Sequence, residues 1–430
     1  MARLLMACTA SPGHVLPLLK IAEHLIGQGH ELGVLTGKLF RQQGEQIGAE
    51  FFEFNENIDF DYRHVDRLFP QRALLPPGPE QTALALRNFF ADAMPLQDLQ
   101  LRQLIQDFKP DALIIESVFY GALPLLLGPV ASRPPVMCIG ETPLGLSSRD
   151  SIFFGPRIPP AVLPMDCTRE SLVISEHQRL IDEVHDYFNQ TLIQHGHPTL
   201  RAALSDTLVN DVERFCQLST QAFEYARDDL PQHLRFVGPL RNPPTSRNAV
   251  KDPFIEEDGR PLVIVTQGTV ANADLNQLLL PTLPALAGLP VKVLALTGGR
   301  GTDPSLIPTA DNLRVTDFVA YEQVLPHASV FITNGGYGSI NSALGYGVPV
   351  LIAGTGEDKA ETSTRVVWAR CGINLNTSYP SEQAIAHAVQ KIITQPSYRL
   401  RAKEIAEDFL QHDALAIISD ELQQMLAETA

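Results

Sequence analysis

The chain lacks any run of about eighteen uninterrupted apolar residues, which excludes a membrane-spanning helix. Positive charge is scarce: Lys and Arg number 33 against 49 Asp and Glu, and the formal charge of −16 argues against nucleic acid or an anionic membrane as the main partner. Cysteine is scarce too. The five, Cys8, Cys138, Cys167, Cys216 and Cys371, are odd in number and scattered, which excludes a disulfide framework or a zinc site and predicts a reducing, cytoplasmic setting. No HExxH, Walker A or Ser-His-Asp order is present. What is present is apolar substance: 430 residues at 44% hydrophobic suffice for two ordinary domains, each with its own core.

Short apolar runs alternate with helical patterns, the mark of a parallel sheet covered on both faces. Strands are expected at 4–8, 31–36, 50–54, 112–116 and 136–139, with a long helix over 81–107, a helical stretch at 175–203 and loops over 55–79. Residues 236–240, FVGPL, lead into RNPPTSRNAVKDPF, a proline-rich polar segment that adds to neither core. The alternation then restarts, with strands at 261–266, 291–296, 313–315, 330–332 and 350–352. The reading is an α/β chain of two doubly wound, Rossmann-like domains: 1–238, a linker at 239–260, then 261–405, with a last helix at 406–430.

Residues 333–365, TNGGYGSINSALGYGVPVLIAGTGEDKAETSTR, carry the strongest functional signal. A glycine-rich turn joins an apolar strand to a helix beginning near Tyr337, where unpaired N–H groups and the helix dipole favour an anion. Gly335, Gly336 and Gly338 let backbone approach that anion, and Ser339 adds a hydroxyl, so the turn predicts a diphosphate cradle. Near the start, SPGH at 11–14 follows the first strand, and a neutral His14 imidazole there could take a proton near neutral pH. Asp59 and Asp61 form a DxD pair without a third ligand pattern, so no metal site is expected.

Around these lie DFVAYEQVLPH at 317–327, GVP at 347–349, EDK at 357–359, and Gly13, His14, Pro17, Gly29 and His30 near the start. In order and spacing these resemble the UDP-glycosyltransferase type of nucleotide-sugar glycosyltransferases, which includes plant and fungal glucosyltransferases and bacterial macrolide and antibiotic glycosyltransferases. The resemblance covers nearly the whole chain and is weakest at 55–81 and 144–205. It implies a GT-B architecture, an acceptor-binding first domain and a donor-binding second one facing across a cleft, with the last helix returning to the first. It implies an inverting, metal-independent transfer from a UDP- or dTDP-sugar, UDP-glucose best, to a hydroxyl of a small lipophilic acceptor such as a natural product. The nucleotide sugar is then a co-substrate, with no further cofactor.

The resemblance also implies roles for individual residues. His14 falls on the general base, and Glu116 stands where the family has the aspartate that orients it. Gly268 and Thr269 match the pair that contacts the diphosphate, Phe318 the aromatic that stacks on the donor base, and Val319 the backbone that reads its edge. Asn334 replaces the usual histidine at the donor phosphate, and Ser342 a common glutamate at the ribose. Asp358 and Lys359 lie where an acidic residue and a glutamine bind sugar hydroxyls. Rival readings are a nucleotide-sugar epimerase, which can share two such domains, and a donor-binding helper subunit without catalysis.

Overall fold

The structure, a computed structural model, describes residues 1–147, 168–241, 254–255 and 258–429. Most of the expected linker and the Phe- and Pro-rich stretch at 151–164 lie outside these residues. The chain forms two compact units, one of Met1–Leu218, Ala226–Gly238 and Asp413–Ala430, the other of Ser219–Tyr225 and Pro239–His412.

The first unit is built on a seven-stranded sheet in the order β3-β2-β1-β4-β5-β6-β7. Its strands are β1 (Arg3–Ala7), β2 (Glu31–Thr36), β3 (Glu50–Glu53), β4 (Ala112–Glu116), β5 (Val136–Gly140), β6 (Arg214–Gln217) and β7 (Leu234–Phe236). Every pair is parallel. β4 and β5 are buried along their whole length, which is why they read as continuous apolar runs and not as alternations. The chain runs outward from β1 to β3 and then returns across β1 to β4, so the strand order reverses between β1 and β4.

The second unit repeats the plan with six parallel strands in the order β10-β9-β8-β11-β12-β13. They are β8 (Leu262–Thr266), β9 (Lys292–Leu296), β10 (Leu313–Thr316), β11 (Ala328–Thr333), β12 (Val350–Ile352) and β13 (Gly372–Asn374). Alternate residues feed two cores: Leu262, Ile264 and Phe331 pack on one face, Val263, Val265, Val330 and Ile332 on the other. Each fully buried side chain of this kind contributes about 1.5–3 kcal/mol, so the sheet holds its loops on a rigid base. Here the order reverses between β8 and β11. In a doubly wound sheet, such a reversal opens a crevice at the carboxyl ends of the strands, where ligands bind.

Several expectations need correction. The helix expected over 81–107 is broken into Pro79–Ala85, a π-helical turn Leu86–Ala91 and Met94–Phe108. Pro95 lacks an N–H and crowds the carbonyl four residues back, so the helix restarts there. β6, β7 and β13 are too short and mixed in polarity to read as strands. Near the C-terminus the units divide after His412, not after residue 405: helix Pro396–Leu410 stays with the second, and helix Ala414–Thr429 belongs to the first. There its Glu421 pairs with Arg214 of β6 at 2.9 Å and Arg235 of β7 at 3.0 Å. Residues 219–225 join the second unit, because Glu224 is held by Arg365 Nε at 2.5 Å and the Tyr337 hydroxyl at 2.6 Å.

Candidate active site

At the first reversal, Ser11 precedes helix Pro12–Gly27, whose leading proline has no N–H to leave unpaired. His14 therefore sits in the first helical turn and not on a loop, its N–H donating to the Ser11 carbonyl at 3.0 Å. Its Nδ1 lies 2.8 Å from Glu141 Oε1 and 3.4 Å from Glu116 Oε2. Both carboxylates are buried, and the imidazole keeps about a fifth of its surface exposed, at 21%. Glu116 ends β4 and Glu141 follows β5, so adjacent parallel strands deliver them side by side.

The three groups set one another's charge. Burial opposes an imidazolium at His14, but the Glu116 charge and hydrogen bonds to both carboxylates more than offset it and raise the His14 pKa well above its ordinary value. Burial likewise opposes ionisation of Glu116. The His14 charge and side-chain hydrogen bonds from His14, Glu141 and Thr9 nevertheless hold Glu116 below the usual carboxylate range. Glu141 moves the other way, pushed up by burial first and by the Glu116 charge second. Ligand atoms of all three lie within 4.8 Å of one another, close enough to share a proton or crowd around a cation. Glu116 oxygens already accept from the N–H groups of Thr9 at 3.0 Å and Val118 at 2.6 Å, an arrangement suited to a fixed anion.

At the second reversal, β8 is followed by Gln267, Gly268 and Thr269, and β11 by Asn334, Gly335 and Gly336 before helix Tyr337–Gly345. Gly268 has φ +71° and Gly335 φ +108°, conformations that favour glycine. Gly336 takes the capping position with no side chain to fill it, and Gly338 is exposed in the first turn. Ser339 is half-buried beside Tyr321, which also stands against Thr266. The backbone expected to cradle a diphosphate thus comes from two turns at neighbouring strand ends.

Two asparagines lock those turns. Asn334 Nδ2 donates to the carbonyls of Gln267 at 2.9 Å and Ala271 at 3.2 Å, so its amide braces the β8 turn instead of pointing at a ligand. Asn272 Nδ2 donates to the carbonyls of Gly268 at 2.9 Å and Thr297 at 3.0 Å, and its Oδ1 accepts from Arg300 Nε at 3.0 Å. Phe318 is 64% exposed, its ring lying beside Gly299, whereas Val319 packs against the core. Asp358 directly precedes helix Lys359–Trp368, and the buried Lys359 amine pairs with Glu357. Ser342 Oγ turns back to donate to the Gly338 carbonyl at 2.8 Å.

The structure therefore groups His14 with Glu116 in one unit, and Gly268, Thr269, Asn334, Gly335, Gly336, Gly338 and Ser339 around two adjoining turns of the other. Sequence reasoning passed over Glu141, Asn272 and the Glu224–Arg365 pair. Glu141 carried the same signal as Glu116, a carboxylate closing an apolar strand. Asn272 and Glu224 carried none, since their meaning depends on which carbonyls and cations the fold brings to them.

Comparison with known proteins agrees with this arrangement. Residues 286–425 match the family described as erythromycin biosynthesis protein CIII-like, C-terminal domain. In fold, the chain is similar to the calicheamicin glycosyltransferase CalG4, with a TM-score of 0.76 and 19% identity over 100% of this chain and 99% of that one. In sequence it is 32% identical to 4'-demethylrebeccamycin synthase of Lentzea aerocolonigenes, over 99% of this chain and 100% of that protein. It is 33% identical to UDP-glycosyltransferase 2 of Phaeomoniella chlamydospora, over 96% of this chain and 94% of that protein. With the two doubly wound units and the glycine turn already in place, these likenesses show that the chain belongs to the UDP-glycosyltransferase family of nucleotide-sugar glycosyltransferases.

Proposed function

We propose that this enzyme is an inverting, metal-independent glycosyltransferase that moves glucose from UDP-glucose to a hydroxyl of a small lipophilic natural product. The observation that carries the reading is the His14 geometry. Carboxylates hold Nδ1, so Nε2 is the ring nitrogen available to an incoming hydroxyl. As the acceptor O–H bond breaks, its proton passes to Nε2 and its oxygen attacks the anomeric carbon. The bond from that carbon to the diphosphate breaks, its electron pair leaving with the diphosphate. A single displacement without an enzyme nucleophile inverts the centre.

The leaving diphosphate gains negative charge. N–H groups at the start of helix Tyr337–Gly345, the turn at Gly335 and Gly336, and the Gly268 and Thr269 turn would stabilise it without a cation. Exposed Phe318 offers a flat apolar face for the base, and Asp358, at the start of helix Lys359–Trp368, and Lys359 within it would face the sugar hydroxyls. The names of the sequence relatives support UDP as the nucleotide and small natural products as acceptors. The test is incubation of the purified chain with UDP-glucose or a dTDP-sugar, each with a set of lipophilic alcohols and phenols, read by mass spectrometry. A hexosylated product with UDP-glucose is expected. Conversion of the nucleotide sugar to an epimer in place of transfer would overturn the reading.

A further inference from the structure

We infer that Glu141 is the residue that positions His14, and that Glu116 serves as a fixed anion bracing the surrounding turns. This rests on the reading of His14 as the base. It reassigns a task that position along the chain would give to Glu116.

The distances separate the two carboxylates. Glu141 Oε1 is 2.8 Å from Nδ1, a full hydrogen bond, whereas the 3.4 Å to Glu116 Oε2 exceeds the usual N–H···O range. The nearer Glu116 oxygen, Oε2, is already engaged: it accepts from the N–H of Val118, two residues on, at 2.6 Å. The other oxygen accepts from the N–H of Thr9 at 3.0 Å, so Glu116 ties the turn after β4 to the turn after β1. Replacing it by glutamine would leave one of these two N–H groups facing an NH2 in place of an acceptor.

Glu141 is placed for the other task. The Ser117 N–H approaches its Oε2 at 3.3 Å, and the Ser117 hydroxyl touches both oxygens at 3.3 Å, contacts long enough to leave Oε1 to His14. The main chain beyond it is fixed, because the buried Gln217 Nε2 donates to the Thr142 carbonyl at 2.8 Å. Cys8, Tyr62, Tyr120 and Cys138 also feel the carboxylate charges, and burial first of all keeps each of them protonated. Glu141 thus holds the Nδ1–H, sets the tautomer with Nε2 free and steadies the imidazolium formed when Nε2 takes the acceptor proton.

A double-mutant cycle on the full chain tests this, with turnover from UDP-glucose to a phenolic acceptor and UDP affinity by calorimetry. Glu141→Gln should lower kcat roughly a hundredfold with UDP affinity unchanged, and should cost nothing further in a His14→Ala background. Glu116→Gln should lower the melting temperature, and its loss of turnover should persist in His14→Ala. Ser117→Ala, which loosens Glu141 without touching it, should lower kcat severalfold by the same His14-dependent route and guards against a Glu141 variant that does not fold. Turnover of Glu141→Gln within about threefold of wild type, beside an inactive His14→Ala, would overturn the inference and leave the base standing. Near wild-type turnover of His14→Ala would overturn both.

Discussion

The side-chain amide of Asn334 donates to the carbonyl of Gln267 at 2.9 Å, tying the glycine turn after β11 to the turn after β8. The residue at the family's phosphate-binding histidine position therefore acts on the protein itself. Asn334→Ala strips an amide donor from two carbonyls and should destabilise the ligand-free chain by about 1–3 kcal/mol, with a parallel loss of UDP affinity. Thermal unfolding without ligand is the decisive measurement. A ligand-free melting temperature equal to wild type, together with weakened UDP binding, would restore a direct phosphate contact.

Gly335 and Gly336 should respond differently to a methyl group. At Gly335, with φ +108°, an added Cβ would stand 3.1 Å from Ile352 Cγ2 and 3.2 Å from Lys359 Cβ, against the interior. At Gly336 its nearest neighbour would be Ser339 Oγ at 3.8 Å, over the start of the helix where a phosphate would rest. Gly335→Ala is expected to lower stability by about 1–3 kcal/mol. Gly336→Ala should leave stability intact and weaken UDP at least tenfold, about 1.4 kcal/mol. Calorimetry with UDP and unfolding curves for both variants check the contrast.

Arg365 holds the second unit to its outlying segment. It is 1% exposed, paired with Glu224 at 2.5 Å and Glu361 at 3.0 Å, with its guanidinium 4.4 Å from the Tyr225 ring. Arg365→Ala leaves two buried carboxylates without their cation and should destabilise that unit by about 3–5 kcal/mol. In denaturant this should appear as an early transition of the second unit, with that of the first unchanged.

Acidity should switch the enzyme off above the pH expected of a free imidazole. Turnover needs neutral His14, and a raised pKa means that the proton leaves only at higher pH, so kcat falls as pH drops through that raised value. Glu141→Gln removes one of the raising influences, the carboxylate in full hydrogen-bond contact with Nδ1, and should move the acid limb of the kcat profile to lower pH. A limb at the ordinary value near 6.5 in wild type would argue that His14 is not the titrating group.

Much of this was legible in the chain because parallel strands buried on both faces leave continuous apolar runs, and because glycines at strand ends mark turns with positive φ. The runs at β1, β4, β8 and β11 and the turn at Gly335 show themselves that way. The break near Pro95 was legible in principle, because a proline inside a helix removes a hydrogen bond and crowds the preceding turn. What stayed hidden is tertiary. That Glu116 meets the Thr9 N–H, that Asn334 faces Gln267, and that Glu224 meets Arg365 across 141 residues follow from the tertiary fold, which no local pattern encodes.

The most direct test of the account is the configuration of the product formed from α-linked UDP-glucose in the presence of EDTA. A single displacement driven by His14, with backbone N–H groups holding the diphosphate, predicts a β-glucoside by NMR at a rate that chelation leaves unchanged. An α-glucoside, or activity that vanishes with EDTA and returns with a divalent cation, would contradict it.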